Sequence, residues 1–282
     1  MSLNDILVYV DGTEAARRRM DFAVALAKEH GAHLLGIAFA PTALLPLYGA
    51  DVGFADMTEV LASVKAQGES ALGDLKARAA SAGVSTEARL IEGMSEEFPG
   101  DFACEARHVD IAVLGQPRDG DPLLGQYALV ERCLFASGRP VMIVPAEPAK
   151  LSLNGTIVAA WDGSAQAARA FNDALAFLKQ AGRVVLLIAG QPDPEAGGES
   201  EPRADGMVAH LKRHGVQAET LRVKPGEGES DIGRLLLGEA KALDADMIVM
   251  GAFHHSRVRQ FILGGVTLTM LELATIPLFM AH

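Results

Sequence analysis

Gly251, His254, Arg257, Gly264, Gly265, Val266 and Thr267 fall within one short stretch, and their types suit the phosphates of a nucleotide. Glycine lets the backbone approach a ligand closely, and arginine supplies positive charge. Where such a stretch runs into a helix, the first turn offers free N–H groups and the positive end of the dipole to an anion. Arg257 and Arg259 are the local cluster of positive charge, and a solvated loop face is the plainer reading of the same pair. His254-His255 does not read as a metal site, because adjacent residues point in different directions and no Cys or His partner stands at ligand spacing.

Two elements must position these groups. The stretch follows Met247-Ile248-Val249-Met250, an apolar run that reads as a buried strand, and it enters a helix predicted over 265–273. Further back, the strand predicted over 155–160 runs into Trp161-Asp162-Gly163-Ser164, a turn leading to a helix predicted over 165–180. In a doubly wound sheet a ligand binds beyond the carboxyl ends of the strands where their order reverses. If these two strands are neighbours there, Asp162 can accept hydrogen bonds from ribose hydroxyls while the glycine loop holds phosphates. Asp162 and its counterpart Asp11 read equally well as helix N-caps, and Trp161 reads as a packing residue.

The whole pattern occurs twice. Asp11-Gly12-Thr13 recurs as Asp162-Gly163-Ser164, Asp110–Gly115 as Asp246–Gly251, and Pro140-Val141 as Pro277-Leu278. In the first half, strands are predicted over 5–10, 32–39, 84–92, 110–115 and 140–145, with helices over 14–30, 56–81, 95–107 and 123–136. In the second, strands over 155–160, 183–189, 216–223, 246–251 and 277–281 alternate with helices over 165–180, 203–214, 229–243 and 265–273. Alternation of this kind implies a parallel sheet covered by helices on both faces. The second half is shorter, and the saving is expected around 40–56, the loop after the second strand. The expected domains are 1–146 and 153–282, joined by a polar linker. The first half's version of the loop, Gln116–Gly125, carries Pro117, Pro122, Asp119 and Asp121, which remove N–H donors and repel phosphate, so this half is expected to be structural or dimer-forming.

Composition narrows the classes. The 282 residues are 49% hydrophobic and 22% charged, which suits a folded α/β protein, and the formal net charge of −11 disfavours a nucleic-acid surface. Apolar runs fall short of a membrane span, and the start lacks a signal peptide's pattern, so a cytoplasmic protein is expected. Cys104 and Cys133 form no Cys-x-x-Cys pair and read as buried small apolar residues. No Ser-His-Asp or Cys-His arrangement and no Gly-x4-Gly-Lys-(Ser/Thr) loop is legible.

Over essentially its whole length the chain resembles the universal stress protein family in a tandem two-domain form. The family signature, Gly-x2-Gly-x9-Gly-(Ser/Thr) between the fourth strand and the last helix, marks the members that bind ATP; here it reads Gly251-x2-His254-x9-Gly264-Gly265. Gly251 and Gly264 keep it; His254 and Gly265 depart from it. His254 puts a side chain where the family has none, and Gly265 lacks the hydroxyl that Thr267 offers two residues later. The resemblance implies two tandem doubly wound five-stranded parallel sheets, of the class shared with the adenine nucleotide alpha hydrolases. It further implies ATP or another adenine nucleotide in the second half, with Mg²⁺ accompanying it. Asp162 falls at the ribose, Ile188 at the adenine and Val266 at a phosphate. It implies a homodimer or an intramolecular pseudo-dimer, and at most a slow ATPase, since no general base or metal-binding carboxylate stands near the loop. The alternative reading is a stress-response interaction protein that binds no nucleotide and uses the crevice for a partner or another small ligand.

Overall fold

Short runs of Val, Ile and Leu become parallel strands buried on both faces, and the amphipathic segments between them become the helices that bury them. The computed structural model describes residues 3–43, 54–117, 126–147, 152, 154–189, 204–225, 231–252 and 265–282. The chain divides into two compact units that meet in sequence between Ala146 and Glu147.

The first unit runs β1 (Asp5–Tyr9), α1 (Glu14–His30), β2 (His33–Ala43), α2 (Phe54–Ala82), β3 (Thr86–Met94), α3 (Phe98–Ala106), β4 (Ile111–Gly115), α4 (Gln126–Ala136) and β5 (Val141–Val144). Its strands lie in the order β3-β2-β1-β4-β5, with parallel pairings. α1 packs beside α2, and α3 beside α4. Central strands β1 and β4 are almost wholly buried, which is why they read as unbroken apolar runs, whereas β3 at the edge alternates.

The second unit runs β6 (Thr156–Ala160), α5 (Ala165–Asp173), α6 (Leu175–Leu178), β7 (Arg183–Ala189), α7 (Ala204–Arg213), β8 (Ala218–Val223), α8 (Ile232–Ala242), β9 (Met247–Gly251), α9 (Gly265–Leu273) and β10 (Leu278–Ala281). Its order, β8-β7-β6-β9-β10, repeats the first, again with parallel pairings. In both units the order reverses between the first and fourth strands. Both also use one aspartate to hold the start of the first strand. Asp110 Oδ2 accepts from the Asn4 and Asp5 amides at 2.6 and 3.1 Å, and Asp246 Oδ2 accepts from the Thr156 amide at 2.7 Å.

Several boundaries differ from the sequence reading, each for a local reason. β2 continues to Ala43 through Pro41, where 40–54 was expected to be loop. β1 pairs with β2 only as far as Ile37, so beyond it β2 has β3 on one side alone and the amide missing from Pro41 costs no ladder bond. Among the described residues the second helix has 29 residues in α2 against 10 in α7, and most of the loop to which the sequence assigns the saving lies outside the described residues. The helix predicted over 165–180 is broken at Ala174 into α5 and α6. Cys133 is buried as expected, and burial pushes its thiol up to about 12, whereas Cys104 lies on the solvent face of α3.

Candidate functional site

The second unit carries a cavity of about 180 Å³ at the carboxyl ends of β6 and β9, where the strand order reverses. Its rim comes from the turn after β6, Asp162 and Ser164, and from the first turn of α9, Gly265, Val266 and Thr267. Its floor is apolar, with Leu187 and Ala189 of β7 and Leu236 of α8.

The turn after β6 is built by its own side chains. Asp162 Oδ1 accepts the Ser164 amide at 2.9 Å, and Ser164 Oγ accepts the Ala167 amide at 3.1 Å. The cap of α5 is therefore Ser164, two residues after the aspartate proposed for it from sequence. Asp162 shapes the turn with one carboxylate oxygen while its side chain stands exposed at the cavity rim. Gly163 between them has φ +81°, a left-handed conformation that side-chain-bearing residues adopt at a cost.

Gly251 ends β9 beneath the first turn of α5. A Cβ there would lie 2.5 Å from the Ala167 nitrogen and 2.7 Å from the Gln166 carbonyl carbon, so the glycine is required by close packing of α5 on the strand, whatever occupies the cavity. Gly265 is the reverse case: a Cβ there meets nothing within 4 Å, so the missing hydroxyl is not forced by crowding. Thr267 is 4% exposed and faces the cavity from α9.

Of the residues named from sequence, Asp162, Gly251, Gly265, Val266 and Thr267 line this cavity together. Ile188 is buried but is not among its lining residues; Leu187 and Ala189 are, because successive strand residues face opposite sides of the sheet. His254, Arg257 and Gly264 lie outside the described residues. Sequence reasoning passed over Trp161 as a packing residue. Its ring does pack on Phe171, with centroids 5.4 Å apart, but Trp161 also lines the cavity, and its Nε1 is buried without a hydrogen-bond partner among the described residues.

The first unit treats the same place differently. Asp11 Oδ1 accepts the Thr13 amide at 2.9 Å and the Thr13 hydroxyl, and Thr13 caps α1 by accepting the Ala16 amide, so this turn matches the one after β6. Here, however, Arg19 reaches under the turn from α1, beside a cavity of about 180 Å³ that Tyr9, Asp11, Thr13 and Phe39 line. It is 2% exposed, donates from Nε to the Tyr9 carbonyl at 2.7 Å and from Nη2 to Asp11 Oδ2 at 2.8 Å, and lies over the Tyr9 ring at 5.1 Å. A Cβ on Gly115 would overlap the Arg19 guanidinium, so that group reaches the end of β4. Burial opposes ionisation of Asp11, yet the Arg19 charge and the Thr13 hydrogen bonds hold its carboxyl below the ordinary value. At the matching place in α5 stands Ala170, which is fully buried, and there the α5 backbone itself packs on the end of β9. A partial sequence signal was present: Arg19 falls on the Ala16–Met20–Ala23 face of α1, where an arginine is out of place unless paired inside, but the run Arg17-Arg18-Arg19 masks it.

Comparison with known proteins agrees with this architecture. The model of the universal stress protein family matches residues 154–282. No curated protein matches the chain. Among solved structures, the fold is similar to that of a universal stress protein from Archaeoglobus fulgidus DSM 4304, with TM-score 0.70 at 18% identity over 99% of this chain and 98% of that one. It is also similar to a functionally unknown protein from Pseudomonas aeruginosa PAO1, with TM-score 0.61 at 15% identity over 99% of this chain and 92% of that one. At these identities the likeness is one of fold.

Proposed function

Residues 154–282 belong to the universal stress protein family, and from that premise we propose that the second unit binds an adenine nucleotide, ATP or AMP, in a stress-response regulatory role. The observation that carries this reading is the cavity at the β6/β9 switch point, where Asp162 faces the first turn of α9. The residues present fit such a ligand. Asp162 keeps acceptor capacity for ribose hydroxyls beyond its bond to Ser164, and the amides that open α9 suit phosphate. The apolar floor of Leu187, Ala189 and Leu236 suits a base, and the buried Trp161 Nε1 is a donor with no partner among the described residues. Mg²⁺ would accompany the phosphates. In the first unit Arg19 already engages Asp11 Oδ2, the counterpart of the Asp162 carboxylate, which supports a structural role for that half.

The test is calorimetric titration of ATP and AMP into the full chain, with Asp162→Ala, Arg257→Ala and Gly264→Val alongside. Saturable binding that weakens in all three variants is expected. No heat from the unaltered protein up to millimolar nucleotide would sink the reading and leave the crevice to a protein partner or another small ligand. Trp161 is the only tryptophan in the chain and lines the cavity, so its fluorescence offers an independent readout.

A further inference from the structure

Among residues not used above in nucleotide binding, His210 stands in the last turn of α7 and His214 directly follows the helix. The His214 amide donates to the His210 carbonyl at 3.3 Å, so the helical turn continues through His214 and both imidazoles leave one face. Their ring centroids are 4.6 Å apart and tilted by 56°. With histidine nitrogen–metal bonds of about 2.1 Å and ring centres roughly 1.1 Å behind the nitrogens, two imidazoles on one ion have centres roughly 4.5 Å apart at a right angle and 5.2 Å apart at a tetrahedral one. The observed spacing is short enough for the two imidazoles to share one ion.

The tautomer is set as well. Asn172 Nδ2 donates to the Ala168 carbonyl at 2.8 Å, which turns Asn172 Oδ1 toward α7. Oδ1 lies 3.0 Å from His210 Nε2 and can only accept, so Nε2 carries the proton and Nδ1 keeps its lone pair. A histidine whose second nitrogen donates to a fixed oxygen is the arrangement metal ligands use to hold ring and tautomer in place. His214 is exposed, and solvent can complete the coordination shell.

We propose that His210 and His214 chelate one divalent late transition ion of the nickel, copper and zinc class, with Asn172 as the positioning residue. The ion binds His210 through Nδ1, so no proton need leave that ring, and waters fill the remaining positions. A pair of imidazoles with water in the other positions follows the general affinity order of nitrogen sites, in which copper is the tightest. The site is independent of the nucleotide reading, sharing no residue with it.

The test is calorimetric titration of NiCl₂, and separately ZnCl₂, into tag-free full-length protein at neutral pH. One ion per chain is expected with either metal. His210→Ala and His214→Ala should each weaken Ni²⁺ binding at least tenfold. Asn172→Ala should weaken it by about tenfold through loss of the fixed tautomer, and His108→Ala, an exposed histidine elsewhere, should leave it unchanged. Nitrogen chemical shifts of the metal-free protein should show His210 protonated at Nε2, a readout that does not depend on any variant folding. Undiminished Ni²⁺ binding in both histidine variants, no binding by the unaltered protein at millimolar metal, or a His210 protonated at Nδ1 would each overturn the proposal.

Discussion

At the scale of single residues the partner of the shared aspartate separates the two units, eight positions further on. Arg19 in α1 is a buried cation that Asp11 neutralises, whereas Ala170 in α5 brings no charge to Asp162. The pair also makes a pH prediction. Because the Asp11 carboxyl is held below its ordinary value of 3.8, its contribution is present above that value and is lost as pH falls through the folded-state pKa. Asp11→Asn should cost the first unit about 3 kcal/mol at neutral pH, since it strands a guanidinium that is 3% exposed. That penalty should shrink in urea titrations at acid pH, below the folded-state pKa of Asp11, where the native carboxyl also takes up its proton. An equal penalty at both pH values would show that the ion pair is not the source. Asp11 and Asp162 were legible in sequence as turn residues, but the partner of Asp11 was not. Arg17-Arg18-Arg19 looks like a solvated run, and only the packing of α1 turns the third arginine inward.

At the scale of elements, the halves were legible wherever an element's own pattern decides it. Runs such as Ile111–Leu114 and Met247–Met250 are strands because both their faces are covered, and their apolar continuity announces that. Boundaries set by a neighbour were not legible: Pro41 belongs to a strand because β1 has already ended beside it. The start of β6 is a second neighbour-set feature. The Asp246 carboxylate lies where a Cβ on Gly155 would be, while its Oδ2 holds the Thr156 amide. Asp246 is 2% exposed, so Asp246→Ala should cost about 2 kcal/mol through the lost charge-assisted hydrogen bond. Gly155→Ala should cost a similar amount, about 2 kcal/mol, by displacing that carboxylate. In the Asp246→Ala background the Gly155→Ala penalty should largely vanish, a coupling of about 1–2 kcal/mol in a double-mutant cycle. Strict additivity would separate the two residues.

At the scale of the whole molecule the chain is two compact units of one strand order, and no helix among the described residues is long and apolar enough to cross a membrane. If the second unit alone carries the ligand, residues 153–282 expressed by themselves should keep a folded circular-dichroism spectrum. They should also bind ATP within a factor of about three of the full chain, a difference under 1 kcal/mol. Loss of binding by a folded half would assign the first unit a part in the site. The repeat, the alternation of strand and helix, and the glycine-rich stretch before α9 were determined by sequence alone, because each is a periodicity or spacing that short-range sterics and burial impose on any chain carrying it. Which residues meet at the switch point was decided only by the tertiary structure. Gly251 serves the packing of α5, Leu187 and Ala189 rather than Ile188 line the floor, and Arg19 takes up the Asp11 carboxylate, since each depends on what a distant segment brings against it. Residues adjacent in sequence share propensity, but a site is made by residues adjacent in space, and that adjacency is created by burial across the sheet.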